Sequence, residues 1–171
     1  MIFTIGHSTH AIERFVELLR QHGITAVADV RSTPYSRRNP QFNRETLKQS
    51  LRDADIGYVF LGEELGARPK DPSCYDDGHI DYRKLAATQP FKTGLERLRS
   101  GMTTHRIAIM CAEKEPLDCH RTLLIARELV ESGTPVTHIL ADGGIEPHDA
   151  TVSRLKEPPQ NLQDDMFGGG G

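Results

Sequence analysis

The sequence predicts an α/β fold: a three-layer sandwich with a mainly parallel, Rossmann-like sheet. Two observations carry this. Short apolar runs alternate with amphipathic stretches of helical period along the whole chain. The length of 171 residues, with 37% hydrophobic and 26% charged side chains, suits one domain around one core. Strand and helix in strict alternation put helices on both faces of a parallel sheet.

Ile2 to Ile5 is a short apolar strand ending in Gly6-His7-Ser8. Ser8 or Thr9 can cap the helix that follows, whose apolar face is Ile12, Phe15, Val16 and Leu19. Gly23 closes that helix as a C-cap. Thr25 to Val30 is the second strand, uncharged until Asp29. Pro34 and Pro40 exclude helix from the polar loop Arg31 to Phe42. Asn43 caps a helix carrying Leu47, Leu51 and Ala54, and Tyr58 to Leu61 is the third strand. Gly62 to Gly78, with Pro69, Pro72 and Asp76-Asp77-Gly78, is a surface excursion that could serve as a lid. Asp81 to Arg99 is mostly helical, with Leu85, Phe91, Leu95 and Leu98 toward the core and a break at Pro90. Arg106 to Cys111 is the fourth strand, Asp118 to Glu131 a helix, and Pro135 to Leu140 the fifth strand. The domain is placed at residues 1–145; residues 146–171 form a polar tail with Pro158-Pro159 and Gly168 to Gly171, expected to be mobile.

The bulk numbers exclude several classes. A formal net charge of -3 is not that of a general nucleic-acid binder. The apolar runs are far short of a membrane span, so no membrane partner is expected. The strand-like start lacks the layout of a signal peptide, and the three cysteines, Cys74, Cys111 and Cys119, are odd in number. The expected setting is therefore cytoplasmic, with the cysteines as thiols, ligands or redox groups.

In open parallel sheets ligands bind at the carboxyl ends of the strands. Three loops should open there: Gly6 to Thr9, Arg31 to Phe42, and Cys111 to Asp118. The third is the richest, Cys111-Ala112-Glu113-Lys114-Glu115-Pro116-Leu117-Asp118-Cys119-His120-Arg121. With Asp118 as N-cap, Cys119, His120 and Arg121 lie in a first helical turn, where free N–H groups and the helix dipole favour an anion and lower a thiol pKa. Cys119 is then a candidate nucleophile, and Lys114 and Arg121 candidate anion binders; the bland alternative is a small packed thiol. Cys111 ends a buried strand. Leu117 stands where cysteine phosphatases and rhodaneses need an arginine, six residues after the cysteine, so that mechanism is disfavoured. A zinc site from Cys111, Cys119, His120 and His7 is an alternative, but a cysteine spacing of eight is no knuckle, and no metal is assigned. In the second loop, Arg31, Arg37, Arg38 and Ser36 form a plausible phosphate clamp beside Asp29, itself a candidate general base. Tyr35 and Phe42 could stack on a base. In the first, His7 is a candidate acid or base and Ser8 an anion donor. No dinucleotide fingerprint or P-loop is present.

Thr4-Ile5-Gly6-His7-Ser8, the pattern D-V-R-x-x-P-x-S-R at Asp29 to Arg37, and C-A-E-K-x-P-x-x-C-H-R at Cys111 to Arg121 together resemble the bacterial family called domain of unknown function 488. Gly133 to Ile139 fits it too, while Leu65-Gly66-Ala67-Arg68 departs from the family's Leu-Gly-Gly. The resemblance covers about residues 1 to 140 and implies an α/β domain whose motif residues are those of the three loops; it implies no particular reaction or cofactor. The functional expectation is an enzyme acting on a phosphate-bearing substrate, a nucleotide or nucleic-acid component. Arg31, Arg37, Lys114 and Arg121 with Ser8 and Ser36 would bind the anion. His7, Asp29, Glu113, Cys119 and His120 would do the chemistry. The alternatives are a non-catalytic nucleotide or nucleic-acid binding module and a thiol redox or metal protein.

Overall fold

β-Branched and aliphatic runs form the strands, and residues at helical spacing cover them. The structure is a computed structural model that describes residues 1–156. The chain runs β1 (Ile2–Gly6), α1 (Ile12–Gln21), β2 (Ala26–Asp29), α2 (Arg44–Asp53), β3 (Gly57–Phe60) and α3 (Gly62–Leu65). It continues through β4 (Tyr75–Asp76), β5 (His79–Ile80), α4 (Tyr82–Ala86), α5 (Gln89–Gly101) and β6 (Ile107–Cys111). Among the described residues it is completed by α6 (Arg127–Glu131), β7 (Val136–Ile139), β8 (Ile145–Pro147) and α7 (His148–Lys156). The main sheet has the order β3-β2-β6-β1-β7-β8. Its neighbours are parallel except β8, which runs antiparallel to β7.

The sheet divides two apolar layers, as expected of a three-layer sandwich. Phe15, Leu18 and Leu19 of α1 and Leu47 and Leu51 of α2 pack with Phe3, Ile5, Val27, Ala108 and Met110. On the other face Phe91, Leu95 and Leu98 of α5, with Leu124 and Leu129, meet Ile2, Ala28, Ile107 and Ile109. Side-chain alternation along β6 therefore sends Ile107, Ile109 and Cys111 to the α5 and α6 side. That parity is what directs Cys111 toward Cys119, which belongs to the same layer.

Several local expectations need correction. Neither Ser8 nor Thr9 caps α1: the helix starts after Ala11, and Ser8 sits in the left-handed region at φ 48. Asn43 precedes α2, but its Oδ1 accepts from the Ser36 N–H at 2.7 Å and so pins the preceding loop instead of the helix. The long helix over Asp81 to Arg99 is two, α4 capped by Asp81 and α5 capped by Thr88, with Pro90 in the first turn of α5. The excursion over Gly62 to Gly78 contains α3 and β4, the first strand of a two-stranded hairpin that β5 completes just beyond it. Its turn is Asp77-Gly78, both at positive φ (51 and 80), which is the two-residue hairpin signal.

The helix predicted from Asp118 begins later. Glu115 caps a 3-10 turn, Pro116–Asp118, and Cys119 is extended at φ -133 and ψ 144. Helical hydrogen bonding starts at Arg121 in a π-helical turn, Arg121–Ala126, that runs into α6. The polar tail placed at 146–171 is in part structure: Ile145–Pro147 extends the sheet, and His148 and Thr151 of α7 are buried. The expected mobile glycine end lies outside the described residues.

Candidate functional site

The strand order decides which loops meet. β6 lies between β2 and β1, so the cysteine loop that follows it is flanked by the loops after β1 and β2. The backbone stitches them together: His7 N–H donates to Cys111 O at 2.9 Å, Ser8 N–H to Ala112 O at 3.0 Å, and Val30 N–H to Met110 O at 3.0 Å. Two adjoining cavities open over this seam and share Arg31, Thr33 and Ala112. The larger, about 430 Å³, reaches Cys111, Glu113, Cys119 and His120; the smaller, about 360 Å³, reaches His7, Ser8 and Ser36.

Asp29 and Arg31 form a buried bidentate pair. Arg31 Nε donates to Asp29 Oδ1 at 2.9 Å and Nη2 to Oδ2 at 2.7 Å. Nη2 also donates to Phe42 O at 2.8 Å, and Nη1 donates to His7 Nε2 at 3.3 Å. The Tyr58 hydroxyl donates to Asp29 Oδ2 at 2.6 Å. Burial, and next the Asp29 charge, raise the Tyr58 pKa, so the phenol keeps its proton. Asp29, expected as a proton mover, is instead enclosed and acts as the anchor that orients Arg31. One hydrogen of Arg31 Nη1 has no acceptor among the described residues.

His7 is fixed on two sides. Its Nδ1 lies 2.8 Å from Ser8 O; a carbonyl only accepts, so Nδ1 carries the proton and Nε2 the lone pair. The ring stacks on Phe42 with centroids 4.4 Å apart. Burial lowers its pKa to about 4, against the opposing bond to Ser8, so His7 is neutral at neutral pH.

The cysteine loop differs most from expectation. Arg121 was expected to bind an anion, but it is fully buried and its guanidinium faces the protein. Nε donates to Thr4 Oγ1 at 3.2 Å, and Nη1 to Cys111 Sγ and to Glu113 O, each at 2.7 Å. Burial lowers its pKa to about 10, so it remains a cation, and no carboxylate pairs with it among the described residues. The spacing argument about Leu117 thus missed an arginine that reaches the Cys111 sulfur from position 121. Cys119 is not at a free helix N-terminus: its N–H bonds Pro116 O at 3.4 Å and the residue is buried. The two sulfurs of Cys111 and Cys119 are in contact, with their Cα atoms 7.4 Å apart. His120 Nε2 lies 3.1 Å from Val30 O, so it must donate there, leaving the Nδ1 lone pair 3.7 Å from Cys119 Sγ. Burial lowers the His120 pKa.

The crevice therefore brings together His7, Ser8, Arg31, Ser36, Glu113, Cys119 and His120, and adds Cys111. It does not include Arg37, which is exposed, nor Lys114, which lines a neighbouring cleft with Glu115 and Arg154 that shares Ser8 and Thr9 with the smaller cavity. Tyr58 and Thr4, which hold Asp29 and Arg121, are not singled out by the sequence; Thr4 has a signal, a polar residue inside an apolar strand, and Tyr58 has none. Phe42, expected to stack on a base, is instead fully buried and stacks on His7.

Fold and site together define an α/β protein with a thiol-rich crevice at the carboxyl edge of a parallel sheet. The chain belongs to the family described as Domain of unknown function DUF488, which it matches over residues 11–127. No curated protein and no solved structure matches it. Among the described residues no helix is long and apolar enough to cross a membrane.

Proposed function

We propose that the protein is an enzyme of the cytoplasm that acts on a phosphate-bearing substrate, a nucleotide or nucleic-acid component, seated in the crevice over Arg31. The observation that carries this reading is the guanidinium of Arg31. Asp29 and Phe42 hold its Nε and Nη2 edge, and an Nη1 hydrogen is left for a ligand at the junction of the two cavities. A rigid, buried donor of this kind loses little entropy when it meets an anion. Arg68, exposed on the wall of the larger cavity, supplies a second cation in place of Arg37 and Lys114. Neutral His7 and the Cys111–Cys119 pair are the groups available for chemistry beside it.

The test is thermal denaturation of the wild type, Arg31→Lys and His7→Gln with inorganic phosphate, nucleoside phosphates and short oligonucleotides, followed by product analysis of any ligand that binds. A ligand at a hundred times its Kd stabilises by about 2.7 kcal/mol. The expected result is a shift in the wild type that Arg31→Lys loses. Absence of a shift with every phosphate compound would overturn the proposal. Binding without turnover would favour the non-catalytic alternative.

A further inference from the structure

We infer that Cys111, Cys119, His120 and Glu113 form a binding site for one divalent, thiophilic transition-metal ion of the zinc class. The sequence assigned no metal here because a spacing of eight residues is not that of a knuckle. The fold supplies what the spacing lacks. Sγ of Cys111, Sγ of Cys119 and a carboxylate oxygen of Glu113 all lie within 4.8 Å of one another. Two thiolates, an imidazole and a carboxylate are a common donor set for zinc.

His120 is the independent observation. Its Nε2–H is committed to Val30 O, which fixes the tautomer that presents Nδ1 as a lone pair. A histidine ligand oriented by a backbone carbonyl through its other nitrogen is the usual outer-shell arrangement of a metal site. The 3.7 Å between Nδ1 and Cys119 Sγ is long for a useful hydrogen bond. For this one pair it matches the edge of a tetrahedron built on metal–ligand distances of about 2.0–2.3 Å, roughly 3.3–3.8 Å; His120 stands outside the group of three within 4.8 Å and would reach the ion from the Cys119 side.

The backbone spacing argues against a plain disulfide. Disulfides use Cα separations of about 4.4–6.8 Å, and above about 7 Å the backbone must move to close the bond. Here Cys111 ends a sheet strand, Cys119 follows a 3-10 turn, and their Cα atoms are 7.4 Å apart. The two sulfurs are in contact, and binding one ion between them would part them to the edge of its tetrahedron while leaving the 7.4 Å backbone spacing in place.

Charge balance agrees. A buried cation needs an anion close by. Arg121 has the Cys111 sulfur at 2.7 Å and no carboxylate partner among the described residues. Cys111 and Cys119 as thiolates with Glu113 as carboxylate are neutralised by a divalent ion together with Arg121. Cys111, Cys119 and Arg121 are buried, whereas Glu113 is exposed on the crevice side, so the cavity meets the metal through its most replaceable ligand. The inference rests on this donor geometry and not on the phosphate reading.

The experiment is reconstitution of the full chain, reduced, stripped with a chelator and then titrated with Zn(II) and Co(II). The expected result is one ion per chain. With Co(II), a thiolate-to-metal charge-transfer band and intense tetrahedral visible bands should appear. Cys111→Ser and Cys119→Ser should each abolish the charge-transfer spectrum or shift it to that of a single thiolate. His120→Gln should weaken Zn(II) by about tenfold or more, since even outer-shell losses cost that much. The wild-type Co(II) spectrum decides the matter if a variant fails to fold. No stoichiometric uptake by folded wild type would overturn the inference. So would a protein two hydrogens lighter, with Cys111 linked to Cys119, that stays so after reduction and Zn(II). If uptake fails while phosphate compounds still raise Tm, the metal site alone falls. If the Co(II) spectrum forms and no phosphate compound shifts Tm, the proposed function alone falls.

Discussion

Asp29 shows how one side chain can carry a site without touching a ligand. Its carboxylate is fully buried and is met by the Nε–Nη2 edge of Arg31 and by the Tyr58 hydroxyl. A buried ion pair is costly to make and costlier to break, because the remaining charge is left without a partner. Tyr58→Phe should therefore cost about 1.5–3 kcal/mol, the worth of a hydrogen bond to a charged group. Asp29→Ala should cost more, about 3–5 kcal/mol, because it strands the guanidinium. Urea denaturation with an unchanged m-value measures both. A Tyr58→Phe loss under about 0.5 kcal/mol would mean that the phenol does not support the carboxylate.

At the scale of elements, the decisive contact is between the end of β1 and the loop after β6. A Cβ added at Gly6 would run into the Glu113 carbonyl and come within 3.0 Å of Arg121 Nη1. The carbonyl belongs to rigid backbone that also accepts from Arg121. Gly6→Ala should therefore push the two loops apart. The expected cost is about 1–3 kcal/mol or more in thermal denaturation, with faster alkylation of Cys111 by iodoacetamide. An unchanged Tm would show that the seam is looser than its hydrogen bonds indicate.

For the whole molecule, pH acts through buried neutral histidines. His138 on β7 bonds Thr4 Oγ1 at 2.6 Å and His148 of α7 at 3.1 Å, and so ties α7 to the centre of the sheet. Burial lowers the His138 pKa from 6.5 to about 3, with the neighbouring His148 next in effect; burial lowers His148 as well. Between those values the unfolded chain takes up a proton that the folded chain refuses. Stability is therefore full above pH 6.5 and falls as pH drops toward 3. The slope is about 1.4 kcal/mol per pH unit for each such histidine. Denaturation from pH 7 to pH 4 should show this loss, and His138→Gln, less stable at pH 7, should show a shallower slope. An equal slope in both would assign the acid sensitivity elsewhere.

Much of the fold was legible because strand and helix periods are local properties. The five longer strands, the two-layer covering and the family motifs all follow from residue type and spacing. The edge strand β8 and the hairpin of β4 and β5 are only two or three residues long, too short for a period to register, although Asp77-Gly78 marked the turn. The site was legible as three loops and not as a geometry. Chain order puts the β6 loop last, whereas sheet order puts it in the middle, and only hydrogen-bonded strand pairing decides that. The same pairing turned Arg121 inward to Cys111, enclosed Asp29, and left Arg37 and Lys114 outside. Residue types by themselves determined which chemistry the chain carries: thiols, imidazoles, guanidinium groups and carboxylates at strand ends. Tertiary structure decided which of them meet, because side-chain parity on a strand and the choice of neighbouring strand are set by packing far away in sequence.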